Sequence, residues 1–167
     1  MSIAFKAMQF ACEVHAGQKR KYTGNPYTDH LAEVAGIVAA TFVGSYGPEF
    51  DHVVAVAWLH DCIEDQGITR EQLTAEFGSN VSRGVWWLSD LETGNRAERK
   101  AASRARLAAA PGWVQTIKYA DLISNTSSIV MHDPKFAVTY LEEKRMLLEV
   151  MNAGDSRLYE MARSLCK

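Results

Sequence analysis

The chain has 167 residues, 47% of them hydrophobic and 23% charged, with a formal net charge of −2. That length supports a single core burying roughly two thirds of the unfolded surface without disulfides or a structural metal. The near-neutral balance gives no reason to expect a nucleic acid polymer or a membrane surface as partner.

Taken in chain order, Ile3, Ala7, Phe10, Ala11 and Val14 recur at three- and four-residue spacing and predict a first amphipathic helix ending near Gly17. A loop follows, in which Gly24-Asn25-Pro26 is turn chemistry that delivers His30 to the start of a second helix. Val34, Ile37, Val38 and Phe42 share its face. Gly44, Gly47 and Pro48 break the pattern before a third, nearly apolar helix from Glu49 to Ile63, as expected of a central helix surrounded by others. Thr69-Arg70-Glu71-Gln72 is a capping box opening a fourth helix, and Gly78-Ser79 starts a fifth. Thr93-Gly94-Asn95 precedes an alanine-rich helix over 96–110, and Pro111-Gly112 ends it. The next helix, 113–130, carries Val114, Ile117, Ala120, Asp121 and Ser124 along one side. His132-Asp133-Pro134 and 152–155 separate two last helices. Period-two alternation and internal repeats are lacking, so the expected fold is all-α, a single compact helical domain over 1–167.

Cys12, Cys62 and Cys166 are odd in number and lack Cys-x-x-Cys spacing, which suits a reducing compartment. The amino terminus lacks a signal-peptide pattern and no apolar run approaches about 18 residues, so a cytoplasmic location is expected.

The chemistry gathers at His60-Asp61, at the end of the apolar run 53–59. On a continuous helix the two side chains point about 100° apart and both reach a cation lying across the helix end, with Glu64 stacked over His60 and Asp65 over Asp61. His30 and Asp121 complete a candidate set of two imidazoles and two carboxylates, suited to manganese, iron, zinc or, less well, magnesium. Asp121 on a buried stripe needs a partner, either a divalent cation or Lys118. Glu64 and Asp65 read either as a solvated helix end or as a base and water-orienting pair. Asn125, one turn after Asp121, orients a ligand or packs within its helix. Lys19-Arg20-Lys21 lies just before the turn that delivers His30. Arg96 to Arg106 carries five cations against Glu98 alone, a local charge that suits a polyphosphate or simply an exposed face.

Three blocks together resemble the HD phosphohydrolase superfamily: Gln18, Arg20, Lys21, Gly24, Pro26, Tyr27 and His30; His60, Asp61, Glu64 and Asp65; Lys118, Ala120, Asp121 and Asn125. Within it the chain most resembles the hydrolase domain of the RelA/SpoT homologues in its stand-alone small alarmone hydrolase form. That resemblance implies one divalent ion, usually manganese, held by His30, His60, Asp61 and Asp121, with Glu64 and Asp65 catalytic. It further implies that Arg20 and Lys21 bracket the nucleobase, that Asn125 and Ser128 position the nucleotide, and that Tyr140 helps to hold it. The implied substrate is a purine nucleotide bearing a 3′-pyrophosphate, guanosine tetra- or pentaphosphate, and the products are pyrophosphate and GDP or GTP. Leu31, Gln66 and Leu122 depart from the family's usual proline, threonine and basic residue. They keep open hydrolysis of an adenosine alarmone, NADPH or a nucleoside monophosphate; a non-catalytic nucleotide-binding module is the more distant alternative, whose mark would be a lost ligand or a missing Glu-Asp pair, and this sequence has neither.

Overall fold

The computed structural model describes residues 1–42 and 48–167 and is all-α; among the described residues the extended pairing is one isolated bridge, Lys19 with Pro26. The contacts divide the chain into two compact units, Met1–Ser89 and Asp90–Lys167. No helix among the described residues is long and apolar enough to cross a membrane.

The first unit contains α1 (Ile3–Val14), α2 (Tyr27–Thr41), α3 (Pro48–Leu59), α4 (Cys62–Gln66), α5 (Arg70–Phe77) and α6 (Ser79–Leu88). Helix α3 packs on α1, α2 and α6, which explains why its sequence is apolar on every side rather than striped: Val53 to Ala57 and Leu59 are all buried. Its start is tied to α1 by Asp51, whose carboxylate accepts the Ile3 N–H at 2.6 Å and the Ala4 N–H at 3.3 Å. Those are donors left open in the first turn of a helix, where a negative charge is also favoured by the helix dipole. The expected capping box is present, with Thr69 Oγ1 accepting from Gln72 N and Gln72 Oε1 accepting from Thr69 N.

The loop before α2 is held by its own backbone. Arg20 N donates to Asn25 O at 2.8 Å, Gly24 N to Arg20 O at 3.0 Å, and Tyr27 N to Gln18 O at 3.0 Å. Gly24 takes φ 72°, a conformation that costs a side-chain-bearing residue energy but not glycine. This closed loop sets Tyr27 and His30 in the first turn of α2. The glycine break expected at Gly44 and Gly47 lies outside the described residues.

One expected boundary is corrected. The third helix does not run on to Ile63; it ends at Leu59, His60 and Asp61 form a turn, and Cys62 begins the short α4. The ring of His60 bonds the Ala57 carbonyl at 2.8 Å, taking up one of the carbonyls that a helix end leaves without a partner. Asp61 N-caps α4 with φ −100° and ψ −1°. The 100° geometry of a continuous helix therefore does not apply to this pair.

The second unit contains α7 (Arg96–Ala108), α8 (Gly112–His132), α9 (Pro134–Val150) and α10 (Ser156–Leu165). Asn95 and Glu98 form a second capping box, and Asp133 caps α9 ahead of Pro134 at its first position. Helix α8 packs on α9 and α10. Its buried amide Gln115 donates to Leu107 O at 3.0 Å and accepts from Ala153 N at 2.8 Å, while the Tyr119 hydroxyl donates to Met151 O at 2.6 Å. These polar residues inside the unit tie two chain reversals to α8.

A Cβ on Gly112 would overlap the carbonyl oxygen of Ala153. Helix propensity alone would have Gly112→Ala gain up to about 1 kcal/mol, whereas the overlap predicts a loss of about 1–3 kcal/mol. Urea denaturation of the two proteins decides the sign, and a stabilised variant would contradict the packing described.

Candidate metal centre

In the first unit two histidines and one carboxylate meet. A carbonyl oxygen only accepts, so the contact between His60 Nδ1 and Ala57 O requires that Nδ1 carries the hydrogen. The lone pair of the neutral ring is then on Nε2, which lies 3.0 Å from Asp61 Oδ2. His30 Nε2 lies 3.6 Å from the same oxygen, and the two imidazole rings stand edge to face with centroids 5.3 Å apart. His30 is 0% and His60 2% exposed.

A lone pair facing a carboxylate oxygen is repulsive unless positive charge lies between them. A ring proton would supply it only by burying an imidazolium, whereas a divalent cation answers the nitrogens and the oxygen at once. The donor set therefore fits such an ion, and the Ala57 carbonyl is the kind of outer partner that fixes a ligating imidazole's tautomer.

A chain of polar contacts supports this group. The Tyr27 hydroxyl donates to Asp61 Oδ2 at 2.7 Å, and its ring stacks on buried His15 with centroids 5.3 Å apart. His15 Nδ1 lies 2.6 Å from Gln18 Oε1, so Nδ1 donates and Nε2 faces the Cys62 sulfur at 3.6 Å. Burial, then the charges of Asp61 and Asp65, push the Cys62 thiol up to about 12, so it keeps its proton for that contact. Gln18 Nε2 donates to Asp65 Oδ2 at 2.7 Å, and the Gln66 amide donates to Gln18 Oε1. Gln66, which departs from the family pattern, is thus part of the chain of bonds that ends on Asp65. Glu64 and Asp65 are both exposed.

Of the other expected residues in this unit, Arg20 is half-buried and lies 3.6 Å from Glu33. Lys21 turns back on Tyr22, its ammonium 3.2 Å from the hydroxyl and 4.8 Å from the ring centroid.

In the second unit Asp121 is 7% exposed on α8, and both its oxygens are held. Lys118 Nζ bonds Oδ2 at 2.7 Å and Asn125 Nδ2 donates to Oδ1 at 2.7 Å. The lysine partner considered from sequence is present, and Asn125 is the residue that orients the carboxylate. Tyr140 is buried with its hydroxyl 3.2 Å from that of Thr126, and the Ser128 carbonyl lies 2.8 Å from His132 Nδ1. The one-sign helix Arg96 to Arg106 is largely neutralised: Arg96 bonds Glu143, Lys100 bonds Asp90, and Arg106 bonds Asp90 and Glu92.

In the sequence, Gln18 and Tyr27 are marked only as members of the block that ends at His30, and His15 carries no signal; their contacts with 61–66 depend on tertiary folding.

A protein-family model for the HD domain matches residues 7–119, more than half of the chain. The chain belongs to the HD domain family. HD domains bind divalent metal, in keeping with the donor set above. A probable guanosine-3′,5′-bis(diphosphate) 3′-pyrophosphohydrolase of Synechocystis is 31% identical over 136 residues, 78% of this chain and 17% of the relative. A probable GTP pyrophosphokinase of Mycobacterium leprae is 34% identical over 139 residues, 81% of this chain and 17% of the relative. The chain thus spans less than a fifth of these relatives' length. Among solved structures, one described as a metazoan ortholog of SpoT that hydrolyzes ppGpp superposes with a TM-score of 0.86 at 21% identity, covering 99% of this chain and 94% of that one. A Listeria monocytogenes structure superposes with a TM-score of 0.68 at 24% identity, covering 87% and 96%. These likenesses establish the fold, and the relatives' names agree with the RelA/SpoT-type resemblance of the HD family member.

Tyr27→Phe removes the hydroxyl on Asp61 while keeping the stacked ring. Loss of such an outer partner is expected to lower divalent-metal affinity by about 10-fold or more, as read by equilibrium dialysis with manganese. Equal affinity in the two proteins would show that Tyr27 does not support the centre.

Proposed function

We propose that this chain is a manganese-dependent pyrophosphohydrolase that removes the 3′-pyrophosphate from guanosine tetra- and pentaphosphate, leaving pyrophosphate and GDP or GTP. The observation that carries this reading is the His60 nitrogen lone pair held 3.0 Å from the Asp61 carboxylate, with His30 3.6 Å from the same oxygen. His30, His60, Asp61 and Asp121 are the residues that would hold the ion. When bound, it supplies Lewis-acid charge to the phosphoryl oxygens under attack.

The remaining work falls to side chains. Asp65, with one oxygen held by Gln18, accepts a proton from the attacking water, and Glu64 orients that water. The water oxygen bonds to phosphorus as the bond from that phosphorus to the ribose 3′-oxygen breaks, and the leaving 3′-oxygen takes up a proton from solvent. Arg20 and Lys21 flank the base, as a planar guanidinium and a flexible ammonium suit. Asn125 holds Asp121 and, with Ser128, the sugar; Tyr140 contributes to the nucleotide's place from its buried position. The family match, the relatives' names and the blocks around His30, His60 and Asp121 support the reading. The proposed compartment is the cytoplasm, where the free cysteines would stay reduced.

Purified chain loaded with manganese is assayed against the guanosine alarmone, its adenosine counterpart, NADPH and a nucleoside monophosphate. Pyrophosphate release from the guanosine compound is expected to dominate, and metal removal by chelation to abolish it. Asp65→Ala should lower kcat by about 100-fold or more with bound metal unchanged. Undiminished turnover in that variant would sink the mechanism, and a preference for NADPH would sink the substrate.

A further inference from the structure

In the second unit a cleft is lined by Lys100, Arg104, Lys118 and Lys144 against two carboxylates, Asp90 and Glu143. Both carboxylates are already engaged. Glu143 accepts two bonds from Arg96 at 2.6 and 2.8 Å. Asp90 accepts from Lys100 at 2.9 Å, Ser103 at 2.7 Å and Arg106 at 2.7 Å. Burial would push the Asp90 carboxyl up, but Lys118, Lys100 and Ser103 outweigh it and hold the group well below the ordinary carboxylate range.

Among the described residues neither Arg104 nor Lys144 of this cleft has a carboxylate within ion-pair distance; the Lys144 ammonium stands over the Tyr140 ring, 5.0 Å from the centroid. Burial pushes the Lys144 ammonium down to about 8, with Lys118 and Lys100 adding like-charge repulsion and Asp121 and Asp90 partly relieving it. A half-buried ammonium crowded by like charges is raised in energy until an anion joins it. The cleft itself is about 10 Å³, the room of one water, so it cannot enclose a phosphate, and an anion would have to sit at its mouth, where the side chains of Lys100 and Lys118 are 29% and 15% exposed. Lys144 reaches that mouth on a flexible four-carbon stem. Its neighbour Lys118 is bonded to Asp121, so the mouth adjoins a proposed metal ligand on the same unit.

We propose that Lys144, with Lys118 and Arg104 beside it, is a phosphate-binding subsite of the second unit that takes a phosphate group of the substrate. Its assignment to the substrate rests on the function proposed above; anion binding by the cluster does not.

The probe is inorganic pyrophosphate, titrated calorimetrically into the full chain in chelator, so that no divalent ion contributes. Wild type should bind, Lys144→Gln should bind about tenfold more weakly or worse, and Lys144→Arg should stay within about threefold because the charge remains. Lys135→Gln, an exposed cation on the first turn of the same helix, should match wild type. Wild type that does not bind, or Lys144→Gln that binds equally well, overturns the proposal. Should Lys144→Gln not fold by circular dichroism, Arg104→Gln is read in its place with the same two outcomes. Pyrophosphate binding that depends on Lys144 in a protein without alarmone turnover would refute the proposed function and leave the subsite standing. Turnover with Lys144-independent binding would do the reverse.

Discussion

The bond from the His60 ring to the Ala57 carbonyl is the contact on which the rest of the first unit's chemistry turns. It ends α3 by engaging one of the carbonyls a helix terminus leaves open, and it selects the ring tautomer. A bond of this kind contributes only about 1 kcal/mol net to stability. Its greater effect is on chemistry, because the other ring nitrogen is thereby made an acceptor and aimed at Asp61. Two imidazole nitrogens beside a carboxylate oxygen are a donor set that suits a divalent cation.

Around it the unit follows the rule that buried polar groups survive only in satisfied networks. His15 is almost fully buried, yet its two nitrogens face an amide oxygen and a thiol. Tyr27 links the stack to Asp61, and Gln18 links it to Asp65. The candidate ligand and the candidate base are thus braced through one histidine, so a substitution inside this chain of bonds is felt at both ends. Gln66 fits the same logic, since its side-chain amide donates a hydrogen bond to Gln18 Oε1.

The second unit manages charge differently. Most cations of the basic helix α7 are engaged by carboxylates, and what the composition presents as a uniformly positive surface is mostly internal pairing. On α9, Lys144 stands without a carboxylate partner among the described residues, as Arg104 does on α7. Net charge along one helix says little about the field at a site, because partners arrive from segments tens of residues away.

The all-α class and most helix limits were legible in the sequence, because three- and four-residue periodicity, capping boxes and Pro-Gly breaks are local physics: α5 starts at its Thr69 capping box and α6 at Gly78-Ser79, as read from the sequence. His60, Asp61 and Asp121 could be picked out as candidates because they sit at or within apolar stretches where charge is costly, whereas His30, Glu64 and Asp65 were candidates through the three-block resemblance. The break between Leu59 and Cys62 was not legible, since a helical pattern runs through it and only the His60 ring on its own backbone interrupts it. The contacts of His15, Tyr27 and Gln18 were likewise hidden, because each reaches a partner on the segment 61–66. What the sequence determined by itself was which groups must be hidden and which residue types carry chemistry, for burial and capping act over a few residues. Which nitrogen faces which oxygen was decided only by tertiary structure, because hydrogen-bond direction and charge pairing depend on distances between segments that the order of residues does not specify.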